Sequence, residues 1–504
     1  LSTLTTLARA EAVVEGVAQR ITTVRHLHIA ERPLVFIPLT MAGEANAPLA
    51  ALIGTDPDEA KLLIVPQPRN RDQRFAFAAE LGAVIASYVD GYRGRMEAVA
   101  VNRGKDVRYR CAEAPQILVP NPAGVSFTRL FGRSTRFRRT DGDYPVQPAV
   151  PMLGRWLTFF ADRAEHPGSS ALVAMTQALG IHWATGQSPL EDAHLASLLA
   201  WITPPHSLTG AVAAAAAEDP LTWPPAGPAT DPTFDNEVLA PAMTRYDRAV
   251  GNDAQLARAR AALKDVLRSQ LEPTWRLMWQ GKSLLRALPA GDRVAGRWAE
   301  DRDAFTNFAS YVDEGGFPQA RRDGAVAAAQ RLHRMERALA SYTVQLAYDD
   351  PMVMADYRLT GETFVGQVTA ADPTRVDGSG KKRVLRPWLT VTTADPVRVT
   401  PGASLHSPAR SSQKACVVSV VPSHDGLTTE VVLELAGGMG RSLIAPPGSM
   451  PGVGEQVCYT TLSDSFMPSG EFPTRDETPW THGGPPAAFD DGAPTAEDAR
   501  EEWS

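Results

Sequence analysis

Between residues 355 and 463 a helix-patterned chain gives way to short, β-branched runs separated by Gly- and Pro-rich turns. The runs are Phe364–Val368, Trp388–Thr393, Lys414–Val421 and Thr429–Leu435. Strands this short, spaced by turn signals, can bury their apolar sides only by pairing with one another and closing up, so a small antiparallel barrel is expected. Residues 1–354 are helical or mixed, which makes the whole chain an α+β multidomain protein.

Five segments follow from the pattern. Residues 1–150 read as an α/β domain, with a helix over 3–30, strands at Pro33–Leu39 and Lys61–Pro66, and a helix capped by Asn70 or Asp72. Further strands are expected at Glu97–Val101, Gln116–Val119 and Val125–Phe131. Residues 151–236 form a central helical region that runs into a Pro-rich connector. Residues 237–354 form an arm of long helices, among them Gln255–Leu271 and Gln319–Tyr348. In the latter, Ala325, Ala328, Leu332, Met335, Leu339, Tyr342 and Leu346 recur at intervals of three and four. Residues 355–463 are the barrel and 464–504 an acidic, disordered tail.

The net charge of −7 hides an asymmetry: ten acids against two arginines in residues 464–504 put −8 there and leave the rest near +1. Residues 103–140 carry nine cations (Arg103, Lys105, Arg108, Arg110, Arg129, Arg133, Arg136, Arg138 and Arg139) against Asp106 and Glu113. Tyr109, Phe127, Phe131 and Phe137 are interleaved. Guanidinium groups grip phosphates in two-point contacts and rings stack on bases, so this cluster is the first candidate nucleic-acid contact; a solvated basic face over a phenylalanine core fits the same pattern. A second candidate is the glycine-rich hairpin tip Lys381, Lys382, Arg383 and Arg386, with Arg375 and Trp388 nearby. Arg245, Arg248 and Arg258 stand in the helical arm, as does the stripe Arg260, Lys264 and Arg268, which is expected to be a solvated face.

Catalytic signatures are weak. Gly281-Lys282-Ser283 has the ending of a phosphate-binding loop, but Arg276 stands where that loop needs glycine; Arg375 does the same before Gly380-Lys381. No nucleophile elbow occurs. His26 and His28 lack companions at metal-ligand spacing, and His182, His194 and His206 are scattered. Cys111, Cys416 and Cys458 form no paired motif, and Cys111 beside Arg108 and Arg110 is expected to be inert. Glu97-Ala98-Val99 lacks the lysine a restriction-type nuclease strand would carry. No cofactor and no metal are expected. The start carries no basic segment followed by an apolar core, and no 18-residue apolar run occurs, so a cytoplasmic protein without membrane contact is expected; Ala- and Arg-rich composition points to a bacterial source.

The long helix Gln319–Tyr348 leading into the barrel, which ends at Gly454–Tyr459, resembles the stalk-and-barrel accessory element of superfamily 1 helicases. The likeness covers about 140 residues, and the motor motifs of that family are missing. It implies a companion of a motor. The expected function is therefore a non-catalytic nucleic-acid-binding or scaffolding subunit of a bacterial DNA-processing or defence complex, with DNA or RNA and a separate ATPase or helicase as partners. The alternatives are an enzyme with its site in the N-terminal domain, where Asp72, Glu80 and Glu97 are bare candidates, and a pure protein-interaction module.

Overall fold

Leu34–Thr40 is buried at every position and Pro48–Gly54 at nearly every one, with no polar alternation, so the sheet that contains them must be covered on both faces. The computed structural model describes residues 2–44, 47–101, 104–220, 223–225, 227–378, 380, 383–424, 426–440, 442–464, 471–474 and 477. They divide into two compact units: residues 5–339 with the described residues from 471 onward, and residues 340–464 with residues 2–4.

The first unit is a three-layer α/β sandwich. Its five-stranded sheet runs in the order Lys61–Ile64, Pro48–Gly54, Leu34–Thr40, Ile117–Val119, Leu172–Ala174. The first three strands are an antiparallel meander, and the last two lie parallel to Leu34–Thr40. Successive side chains point to opposite faces. Phe36, Ile53, Ile117, Val119 and Leu172 meet the helices Arg71–Arg93, Pro122–Thr135, Ala149–Glu165 and Val294–Asp313. Ile37, Leu39, Leu52, Leu118 and Val173 meet Leu195–Ile202 and the 35-residue helix Asp253–Ala287.

Two of these helices touch through glycines. A Cβ at Gly154 would lie 2.2 Å from the Arg136 nitrogen, and one at Gly132 would lie 2.9 Å from the Thr158 nitrogen. Because the obstructing atoms are backbone, Gly154→Ala must push the helices apart. A loss of about 3 kcal/mol is expected in denaturant unfolding.

The structure departs from the sequence pattern in several places. The first helix is Thr3–Glu15 and not 3–30: Gly16, at φ 68°, ends it, and Gln19–Arg20 then pairs with Trp183–Ala184. Val125–Phe131 is not a strand but the middle of helix Pro122–Thr135, started by Asn121, whose side chain accepts the Gly124 N–H, and by Pro122 in the first turn. Phe127 and Phe131, four apart, stack on one helix face. Met96–Val101 is a strand but pairs only with Asp106–Cys111, outside the main sheet. The helical region contributes the edge strand Leu172–Ala174, and the alanine run forms helix Gly210–Ala217. Helix Ala325–Asp349 stops where expected, but Asp350 caps a further helix, Pro351–Thr360, so the barrel starts at Thr363 and not at 355.

The second unit holds the closed six-stranded antiparallel barrel, in the order Thr363–Asp372, Trp388–Thr393, Thr429–Ala436, Arg410–Pro422, Ser404–Ser407, Gln456–Thr460. The first strand pairs with both its second and last neighbours and so closes the ring. Phe364, Leu389, Val391, Val417, Val431, Leu433 and Tyr459 fill the inside, leaving a packed core in place of a pore. Leu433→Ala is expected to cost about 2–5 kcal/mol, seen as earlier loss of hydrogen-exchange protection in Trp388–Thr393. Apart from Asp464, residues 471–474 and Glu477, the acidic tail lies outside the described residues.

Candidate anion-binding groove

The basic cluster of residues 103–140 is largely used up inside the fold. Arg110 donates to Glu97 at 2.6 Å and reaches Asp303 at 3.5 Å, and Arg108 donates to Asp303 at 2.5 Å. Arg129 pairs with Glu165 at 2.6 Å and Arg139 with Asp141 at 3.0 Å. Arg136 is buried and donates to the Gln319 and Ala320 carbonyls at 2.8 and 3.0 Å; burial, with Arg133 close by, pushes its pKa down to about 10. Arg138 donates to the Ser134 carbonyl and lies over Phe75. Among the described residues Arg133 and Lys105 have no carboxylate partner and are exposed; Arg103 lies outside them. Phe127 and Phe131 are core residues, as a basic face over an apolar core would have it.

The barrel hairpin is divided in the same way. Arg375 donates to Glu434 at 2.6 Å and stacks over Trp388 at 4.3 Å, and Arg386 lies 3.9 Å from the same carboxylate. Arg383 is exposed. Lys381 and Lys382 lie outside the described residues.

The residues with catalytic potential do not converge. Glu97 is held between Arg110 and Arg302, and Asp72 faces Arg71 in the first turn of its helix. Glu80 is exposed eight residues further on, about 12 Å along the axis. Cys111 is buried, and its N–H donates to Thr306. Gly281-Lys282-Ser283 lies within helix Asp253–Ala287, so its N–H groups are committed to helix bonds; Lys282 donates to the Glu31 carbonyl at 2.6 Å. Among the described residues no group of three His, Cys, Asp or Glu is placed to hold a metal, and no helix is long and apolar enough to cross a membrane.

His26, His28 and His182 belong to a structural network, whereas His194 caps helix Leu195–Ile202 and His206 is exposed. His182 donates from Nδ1 to the Ala178 carbonyl at 2.6 Å, and its Nε2 accepts the His26 N–H at 3.0 Å. His28 stacks on Trp298 with ring centroids 4.1 Å apart. Burial holds both His28 and His182 down to about 4, helped at His28 by Arg25, Arg302 and Arg286. Beside them Asp301, 1% exposed, accepts from Arg163 at 2.6 and 3.0 Å, from Ser169 at 2.7 Å and from the Ser170 N–H at 2.6 Å.

Unpaired positive charge gathers instead on helices Ala240–Arg248 and Asp253–Ala287. Asn252 caps the second helix and turns the chain back on the first. The facing positions are Ala242, Ala249, Ala259 and Ala262, whose side chains are too small to fill the gap between two helices, and a groove of about 520 Å³ is left. Val238 and Val266 complete its apolar lining. Arg245 and Arg248, three apart on one helix, and Arg258 on the other rim it, with Glu237 and Gln255 as the other polar lining. All three guanidinium groups are exposed and none has a carboxylate partner among the described residues. Arg260, Lys264 and Arg268 are exposed on the same long helix. Each of these cations stands out in the sequence; the groove does not, because only the helix crossing brings the alanines face to face.

Comparison with known proteins gives no match: no family model, no curated protein and no solved structure is significantly similar to this chain.

Proposed function

We propose that this chain is a non-catalytic nucleic-acid-binding or scaffolding subunit of a bacterial DNA-processing or defence complex, working beside a separate ATPase. The supporting observation is the convergence of Arg245, Arg248 and Arg258 on one groove, where Glu237 is the acidic lining residue and none of the three is ion-paired with a carboxylate among the described residues. Arginine on a rigid helix pair offers two-point contacts to phosphate oxygens. Among the described residues the lining has no aromatic ring to stack on a base, so the contact is with the backbone and independent of sequence. In this reading the interface is the helix pair and not residues 103–140, where Arg108, Arg110, Arg129, Arg136 and Arg138 brace the fold. The likeness to the helicase accessory element belongs to the same proposal and puts the motor activity in the partner.

The test is binding of fluorescent single-stranded and duplex DNA across a salt series. The native chain is expected to bind with an affinity that falls steeply with salt. R245A/R248A/R258A is expected to bind at least about tenfold more weakly, with the salt slope reduced by about 3. Arg108→Ala, which breaks an internal pair, should leave the slope unchanged. Salt-independent binding, or a triple variant that binds like the native chain, would refute the proposal.

A further inference from the structure

We infer that residues 478–504 of this chain occupy the arginine groove as an acidic peptide in cis and compete there with nucleic acid. The competition rests on the function proposed above; the occupancy does not.

The argument is one of chemistry and reach. Residues 478–504 carry six acids, as the doublets Asp490-Asp491, Glu497-Asp498 and Glu501-Glu502, against Arg500. Phe489 and Trp503 directly flank the first and last doublets. A peptide of this kind offers carboxylates to guanidinium groups and a ring to an apolar floor. The groove has the matching parts: three arginines, which outweigh Glu237 in the same lining, and Val238, Ala242 and Val266 within. Its volume, about 520 Å³, is within the range of ligand pockets, roughly 300–1,000 Å³. Fork-shaped pairing of arginine with carboxylate is among the stronger polar contacts at a surface.

Reach is sufficient. Before the segment begins, Phe472 packs against His333 of the same unit, with ring centroids 5.5 Å apart. The 27 residues after Glu477 span up to about 90 Å when extended. A compact unit of this size is about 50 Å across. A tethered segment is present at an effective concentration on the order of millimolar, so even a weak contact is well populated and weakens the apparent affinity of any competing polyanion.

The experiment uses a fluorescent peptide of residues 478–504 and the full chain carrying D490N, D491N, E497Q, D498N, E501Q and E502Q. The peptide is expected to bind the neutralised chain, to be released by salt, and to bind at least tenfold more weakly when R245A/R248A/R258A is added. A polyglutamate peptide of equal charge is expected to bind tenfold more weakly, since it lacks the rings. The neutralised chain is expected to bind duplex DNA at least fivefold more tightly than the native chain at low salt. No peptide binding, peptide binding indifferent to the three arginines, or equal binding of polyglutamate each overturns the inference. If DNA binding depends on the arginines while the peptide does not bind, this inference fails and the proposed function stands. If the peptide depends on the arginines while DNA does not bind at all, the occupancy stands and the proposed function fails.

Discussion

Asp301→Ala is expected to lower the unfolding free energy of the first unit by about 3–5 kcal/mol, the usual cost of removing one partner from a buried ion pair. The Asp301 carboxylate is 1% exposed, and every strong contact it makes reaches another element. It holds Arg163 at the end of helix Ala149–Glu165, and it holds the Ser169 hydroxyl and the Ser170 N–H just before strand Leu172–Ala174. The alanine variant takes the carboxylate away from a half-buried guanidinium and from a buried amide N–H. Hydrogen exchange should accelerate in Ile117–Val119 and Leu172–Ala174 and stay unchanged in Trp388–Thr393 of the barrel. Replacing both partners with apolar residues, R163M/D301L, should cost less than Asp301→Ala alone, because no charge is left buried. A loss below about 1 kcal/mol would show that the network is dispensable.

Stability is also expected to fall as pH drops from about 6.5 towards 4. In the fold, His28 and His182 have pKa values of about 4 because burial disfavours the imidazolium. In the unfolded chain both return to about 6.5. Between those limits the unfolded chain binds more protons than the folded one, so acid favours unfolding; the stability is fully present above 6.5 and is lost as pH falls through the window. Each histidine accounts for roughly 3 kcal/mol of this loss. Asp162, Asp192 and Glu300, which burial raises, act with the opposite sign and soften the lower end of the window. Asp395 and Glu455, held down mainly by bonds to Arg358 and Arg410, lose their contribution only in more acid solution. The measurement is unfolding free energy from pH 8 to 4. His28→Asn and His182→Asn change absolute stability through packing, but each should also flatten the slope by up to one proton. An unchanged slope in both variants would sink the assignment.

The outcome of this network follows from where its members lie in the chain. His26, His28, Gln116, whose amide donates to the His28 and Ser170 carbonyls, Ser170, His182 and Asp301 are spread over more than 270 residues, and nothing in the neighbourhood of any one of them signals the others. The same distance misled the reading of the basic cluster. Nine cations outnumber two acids within residues 103–140, yet Arg108, Arg110 and Arg129 find Asp303 and Glu165 on later helices.

Signals that act within a few residues were legible in the chain. The barrel was readable because alternation, β-branching and turns are local, and the inner residues Leu389, Val391, Val431 and Leu433 are those the alternation marks. The Asn70 cap and the stop at Asp349-Asp350-Pro351 were readable for the same reason: a side chain satisfies, or a proline removes, a backbone bond a few residues away. Val125–Phe131 was too short for period alone to choose between strand and helix, and the Asn-Pro cap before it decided the matter. Which charges are neutralised, which glycines let helices touch, and where facing alanines leave a groove depend on contacts between elements far apart in sequence. Those contacts exist only once the helices have packed, and that packing brought Arg245, Arg248 and Arg258 around one cavity with no ion-paired carboxylate among the described residues.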